Sequence, residues 1–246
     1  CLRRSPERIS CLHSRVRGSG AHARFASGAE GVRRYARGFS PILGFADPAR
    51  PDLGLLGRFC EAGEHFYCEG WSGRVTAGWG IEEESTMFKM VWEGGMPGAD
   101  PLPEAVPLGV EHAVQALELA TLTKPGPFGL RTLELGEYFG IFDGSRLVAM
   151  AGERMQAGTL REISGVCTHP EFQGRGLARG LMLKLVRRQL ARGETPFLHV
   201  MRENTFARAL YERMGFRNHR ETVVRVIRRA EAGSAQGLAK VMRGPA

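Results

Sequence analysis

The residues best suited to chemistry lie in the run Val166-Cys-Thr-His-Pro-Glu-Phe-Gln-Gly-Arg-Gly-Leu-Ala178. An apolar strand ends there, a proline-containing turn follows, and a glycine-spaced loop leads into an amphipathic helix. Gly174 and Gly176 remove the side chains that would hold an anion away from the backbone. The helix that opens at Leu177 offers unpaired N–H groups at the positive end of its dipole. Together they predict a cradle for a diphosphate. A dinucleotide-binding crossover is the nearest rival, but the spacing is Gly174-x-Gly176-x-x-x-Gly180, the preceding strand belongs to an antiparallel meander, and no second βαβ half is visible. The Lys-Ser/Thr ending of an ATP-binding P-loop is also missing.

Other chemistries are thinly represented. No Gly-x-Ser-x-Gly elbow supports a serine hydrolase. His169, His199 and His219 show no helical metal spacing, and no metal is expected. His169, before Pro170, reads as a turn residue. His199, between apolar strand neighbours, reads as a core histidine that could face an acceptor. Cys167 reads as a small buried strand residue rather than a nucleophile.

Several elements must position the glycine loop. Tyr138 to Phe142, an Asp143-Gly144 turn and Leu147 to Arg154 predict a hairpin, with a third strand from Thr159 to Thr168, all antiparallel. The helix from Gly176 to Ala191 should bury Leu177, Ala178, Leu181, Met182 and Leu185 and leave Arg179, Lys184, Arg187 and Arg188 in water, with Gly193 ending it. Pro196 to Met201 predicts a strand, Asn204 to Met214 a helix, and Thr222 to Ile227 the last strand. Leu160 to Met201 is then a βαβ crossover, so Thr168 and Met201 point the same way in a parallel pair, and ligands collect beyond such carboxyl ends. Upstream, Val110 to Leu122 predicts a helix with Val110, Ala113, Val114, Leu117 and Ala120 or Thr121 on one face, ended by Lys124-Pro125-Gly126-Pro127. Thr86 to Trp92 alternates as a strand does, Glu82-Glu83-Glu84 reads as a solvated turn, and Gly94 to Pro107 as a linker. Residues 21–83 are rich in Gly, Pro and aromatics and read as an N-terminal accessory subdomain before a domain over residues 84–230. Residues 1–20 read as a disordered leader and residues 231–246 as a C-terminal tail.

Composition narrows the classes. The 246 residues are 43% hydrophobic, enough for a real core. No apolar run is long enough to span a membrane. The net charge of +8 is concentrated in residues 1–40, where nine Arg face only Glu7 and Glu30, and no basic stripe with interleaved aromatics appears, so nucleic acid is disfavoured. The five cysteines are scattered, which fits a reducing compartment, and a cytoplasmic location is expected. The first 20 residues lack the apolar segment of a secretory signal.

Gln173, Gly176 and Ala178 match the Gln/Arg-x-x-Gly-x-Gly/Ala signature of the GNAT superfamily of acyl-CoA-dependent N-acyltransferases. Asn204, Ala207, Leu210, Tyr211, Gly215 and Phe216 match its later Asn…Ala-x-x-Leu-Tyr…Gly-Phe pattern. Residues 84–229 therefore resemble that superfamily, in particular its glycine N-acyltransferase-like branch. The resemblance implies an α/β fold, a mixed and twisted sheet flanked by helices, preceded here by the N-terminal extension. It implies acetyl-CoA, or another acyl-CoA, as co-substrate, with the pyrophosphate on the backbone of Gln173, Gly174, Arg175, Gly176, Leu177 and Ala178, and with Arg175 as a mobile countercharge. The pantetheine arm would lie like an extra strand against Val166, Cys167 and Thr168. Asn204 would cap its helix, bind the co-substrate, or do both.

Acyl transfer to an amine sets two further requirements. The leaving sulfur needs a hydrogen-bond or proton donor, for which Tyr211 is the candidate against a role in core packing. The amine must lose a proton, for which Glu162 is the candidate because it lies eleven residues before Gln173, the spacing at which histone-acetylating members carry their base. An ion pair with Arg161 or Arg154 is the alternative for Glu162, and Glu153 is a second choice of base. The expected acceptor is a small amine or amino acid rather than a protein, because the N-terminal extension could close the cleft. A protein lysine or N-terminal acetyltransferase and a non-catalytic acyl-CoA sensor are the rival functions, and the oligomeric state is left open.

Overall fold

The computed structural model describes residues 22–231; the leader and nearly all of the C-terminal tail lie outside them. Eleven strands form one sheet: β1 (Ala26–Ala29), β2 (Val32–Tyr35), β3 (Ile42–Phe45), β4 (His65–Glu69), β5 (Trp79–Trp92), β6 (Val106–Pro107), β7 (Tyr138–Asp143), β8 (Arg146–Ala157), β9 (Leu160–Thr168), β10 (Thr195–Met201) and β11 (Phe216–Arg229). The helices are α1 (Leu53–Gly57), α2 (Ala113–Thr123), α3 (Leu177–Ala191) and α4 (Thr205–Met214). Strand order is β1-β2-β3-β4-β11-β5-β10-β9-β8-β7-β6. This is the mixed α/β architecture expected. The sheet runs without a break through both halves of the chain, and the 83/84 division falls inside β5.

Strands β7, β8 and β9 form the antiparallel meander, and β9 and β10 pair in parallel across α3. Because strand side chains alternate, β8 serves two cores. Ala149 and Ala151 face Leu181, Met182 and Leu185 of α3, while Met150 faces Ala116, Leu119 and Ala120 of α2. Helix α4 joins the α3 side through Met214, Leu210 and Tyr211. A third cluster, built from Leu43, Phe45, Phe66, Trp71 and Ile227, joins the N-terminal strands to β11.

Three local expectations are corrected. The buried face of α2 is only partly the one the 110–122 spacing predicts: Ala120 is buried and Ala113 packs beside it, but Val110 and Val114 are exposed at 71% and 60%, and Ala116 and Leu119 are buried instead. Residues Val110–His112 are a 3₁₀ turn, whose larger angular step per residue shifts the phase of the α-helix that begins at Ala113. Glu82-Glu83-Glu84 is strand, not turn, because β5 runs on beside β11 as a long ribbon where Arg225 pairs Glu84 at 2.6 Å and Arg228 pairs Glu82 at 3.4 Å. Lys184 is buried rather than wet, its ammonium held by Asp100 at 2.5 Å and the Leu102 carbonyl at 2.9 Å.

Among the described residues no helix is long and apolar enough to cross a membrane.

Candidate active site

The site begins where β9 and β10 part. Their parallel pairing ends at Phe197 opposite Glu162, yet β9 continues to Thr168 and β10 to Met201. Beyond that point the strands diverge, and a pocket of about 380 Å3 opens between them. Ile163 to Val166 line one side and Leu198 to Met201 the other. A bulge helps to open it. Met150 pairs Cys167 and Gly152 pairs Ser164, so Gly165 and Val166 together stand opposite Ala151. Gly165 takes φ +62°, and a Cβ there would meet the Tyr138 ring at 3.1 Å.

The glycine loop lies at the end of the same strand. Pro170–Phe172 is a 3₁₀ turn capped by the His169 ring, which accepts from the Glu171 N–H. Gly174 and Gly176 have φ +76° and +77°, and a Cβ on either would project into open space. Gly176 is the N-cap of α3, so no side chain closes the first turn of that fifteen-residue helix. Gln173 donates to the Thr168 carbonyl at 3.5 Å, tying the loop to the strand. Arg175 folds back over the Phe172 ring at 4.6 Å and donates to the Glu171 carbonyl. Bare amides, an uncapped helix start and room beside both glycines fit a pyrophosphate, and the gap between the strands fits an extended arm leading from it.

Asn204 caps α4: its side chain accepts from the Ala207 N–H at 3.1 Å. That helix carries Tyr211 into the pocket, where the ring stacks edge-on with Phe216 at 6.2 Å. Burial pushes the Tyr211 phenol up to about 12, so it carries its proton at neutral pH. Burial likewise pushes the Cys167 thiol up to about 12, which leaves too little thiolate for a nucleophile.

Glu162 is fully buried. Burial alone would raise its carboxyl, but the Arg154 guanidinium and the His199 ring overcome that and hold it at about 2. Arg154 grips it with both arms, Nε to Oε2 at 3.0 Å and Nη2 to Oε1 at 2.7 Å. Arg161 instead pairs with Glu194 at 3.0 Å and Glu153 at 3.7 Å. Glu153 faces α3, where Gln189 and Arg192 bond it, and it does not line the pocket.

Glu162 belongs to a row of charged and titratable groups that crosses the sheet on the face away from α3. Arg154 comes from β8, Glu162 from β9, His199 from β10, Lys89 from β5 and Glu69 from β4, with Arg220 of β11 at the end. His199 lies opposite Lys89 in the β5–β10 ladder, and Lys89 opposite Arg220 in the β5–β11 ladder. Its Nδ1 is 2.8 Å from Glu162 Oε1, and its Nε2 is 3.6 Å from Glu69 Oε2. Lys89 Nζ lies 3.4 Å from Glu69 Oε1 with its side chain 1% exposed, and burial lowers that ammonium against the pull of Glu69. Sequence spacing missed Lys89 and Glu69 altogether. The available signal was a single charge within an apolar strand, as in Met87-Phe-Lys-Met-Val91 and Phe197-Leu-His-Val-Met201.

Comparisons with known proteins bear on the family and the fold. Residues 138–226 match the family model described as FR47-like protein. A protein from Novosphingobium aromaticivorans assigned to the GNAT family of acetyltransferases shares 30% identity over 92% of this chain and 100% of its own, with a TM-score of 0.80. A GCN5-related N-acetyltransferase-like protein from Streptococcus suis, 15% identical over 91% of this chain and 98% of its own, has a TM-score of 0.57 and shares the fold. So does a GCN5-related N-acetyltransferase from Kribbella flavida, 14% identical over 92% and 95%, with a TM-score of 0.52. No curated protein sequence matches significantly. With a full-length relative at that identity and a pocket where two parallel strands part beside a glycine loop, the chain belongs to the GNAT family of acyltransferases.

Proposed function

We propose that the protein transfers an acetyl group, or another short acyl group, from acyl-CoA to a primary amine by direct attack. The observation that carries this reading is the pocket itself: it joins the gap between β9 and β10 to Tyr211 and Glu162 in one cavity. The thioester supplies an activated acyl carbon. The protein's own residues supply the rest. Gln173 to Ala178 seat the diphosphate on backbone amides, and Val166, Cys167 and Thr168 offer strand-edge groups to the arm. Amides at the bulge end of β9 polarise the carbonyl. Tyr211 gives a hydrogen bond or a proton to the departing sulfur, and Glu162 is the anionic centre toward which the amine proton moves.

A small amine or amino acid is favoured as acceptor over a protein, because Ile42, Tyr67 and Glu69 of the N-terminal half also line the pocket. The likeness to the glycine N-acyltransferase-like branch points the same way. The test is free-thiol release from acetyl-CoA and longer acyl-CoAs across pooled amines, amino acids and peptides. Release dependent on a small amine is expected. Release only with peptides would favour a protein acetyltransferase, and donor binding without release over the whole panel would favour a sensor. Tyr211→Phe should lower turnover by about tenfold or more while leaving acetyl-CoA affinity nearly unchanged. An unchanged rate would remove Tyr211 from the chemistry.

A further inference from the structure

We infer that His199 Nε2 is the atom that takes the proton from the attacking amine, and that Glu162 is the positioning residue that orients it. The inference rests on the acyl-transfer reading and specifies its base. An ionised carboxylate only accepts hydrogen bonds. Glu162 is such a carboxylate, gripped bidentately by Arg154, so across the 2.8 Å contact His199 Nδ1 must be the donor. In the neutral ring that fixes the tautomer and leaves the lone pair on Nε2. Among the described residues Nε2 has no hydrogen-bond partner, although the side chain is only 8% exposed, and the residue lines the pocket. A buried ring nitrogen with a lone pair and no donor is a costly arrangement that a substrate N–H would relieve.

Glu162 is poorly placed to take the proton itself. Arg154 occupies both of its oxygens, and His199 shares one of them. Its charge is better used at one remove, stabilising the imidazolium once the proton has arrived. The remaining charged groups on the sheet are of both signs. Glu69 of β4 stands 3.6 Å from Nε2, and Lys89 of β5 and Arg220 of β11 each lie at ion-pair distance from Glu69. Phe197 packs edge-on against the ring at 5.5 Å and limits its rotation. In the step, the amine nitrogen forms the bond to the acyl carbon and its N–H proton passes to Nε2. The carbon–sulfur bond breaks with its electron pair on sulfur, which takes a proton from Tyr211. The proton on His199 returns to Tyr211 through solvent, so one proton moves from nitrogen to sulfur overall.

The variant His199→Asn keeps an N–H near the Nδ1 position, and with it the bond to Glu162, while deleting Nε2. It should lose about 100-fold or more in kcat/KM for the amine, and its pH profile should lose the acid limb that belongs to the ring. Calorimetric affinity for acetyl-CoA should be unchanged. A variant that binds acetyl-CoA normally yet keeps the wild-type acid limb and rate overturns the inference alone. Absence of thiol release from the wild-type protein overturns it together with the acyl-transfer reading. A second readout needs neither substitution nor turnover. In the wild-type protein the ¹⁵N resonances of the His199 ring, above its titration, should show Nδ1 protonated and Nε2 bare, and the reverse pattern overturns the assignment.

Discussion

At the scale of single residues, the site is governed by one carboxylate held far from its solution behaviour. Burial disfavours the Glu162 charge, Arg154 and His199 restore it, and the balance leaves its carboxyl at about 2 against an ordinary 4.5. A group whose folded value is depressed stabilises the native state above its unfolded value and loses that contribution as pH falls through the folded one. Wild-type stability should therefore carry a component on the order of 3 kcal/mol that is present above pH 4.5 and disappears toward pH 2. Replacing the pair together, Glu162→Gln with Arg154→Met, removes that component without leaving a buried charge alone. Urea unfolding at a series of pH values should give the double variant a shallower acid slope than the wild type. Equal slopes would mean that the pair does not couple stability to pH. Much of this site was legible in the sequence: the glycines, the Asn204 cap and the strand carrying Glu162 follow from local spacing. The His199–Glu162 bond was not, because its partners are 37 residues apart and meet only when β10 lies beside β9.

At the scale of elements, the meander, the crossover and the two C-terminal helices were readable because each carries its own period and punctuation. Gly193 ends α3 with φ +73°, and Asn204 opens α4 through its side chain. What failed to show was set by neighbours. The phase of α2 depends on a 3₁₀ turn, and the triple-Glu segment becomes strand because β11 brings arginines beside it. The joint between β9 and α3 is the element with most consequence for binding. Gly176 combines a left-handed backbone, the N-cap of α3 and open space beside it, so any side chain there both strains the loop and enters the space proposed for phosphate. Gly176→Val should weaken acetyl-CoA binding by about tenfold or more, with the strain costing ~1–2 kcal/mol of loop geometry. Calorimetry is the measurement, and turnover at saturating donor should fall much less than affinity. Loss of turnover with intact affinity would place the role of Gly176 in the chemistry rather than in the cradle.

At the scale of the whole molecule, the chain is one sheet with a site in its middle, and the N-terminal half is structurally part of that site. Strand β11 pairs with β5 on one edge and β4 on the other, so His65–Glu69 covers an edge that would otherwise be exposed. The cluster of Leu43, Phe45, Leu53, Leu56, Phe66 and Trp71 closes around Ile227 of β11. Glu69 reaches from β4 to Lys89 of β5, across the intervening strand, as part of the charged row. Removing residues 1–78 would therefore bare the long β11 edge, expose Ile227 and leave Lys89 buried without its carboxylate. The sequence-based division at 83/84 would predict that the remainder folds alone; the shared sheet and core predict that it does not. The truncated chain should aggregate or melt without a cooperative transition, and it should fail to bind acetyl-CoA in calorimetry. A soluble fragment with a sharp thermal transition and full donor affinity would show instead that the first four strands only decorate a self-sufficient domain, and their role in the acceptor pocket would then have to be tested by turnover alone.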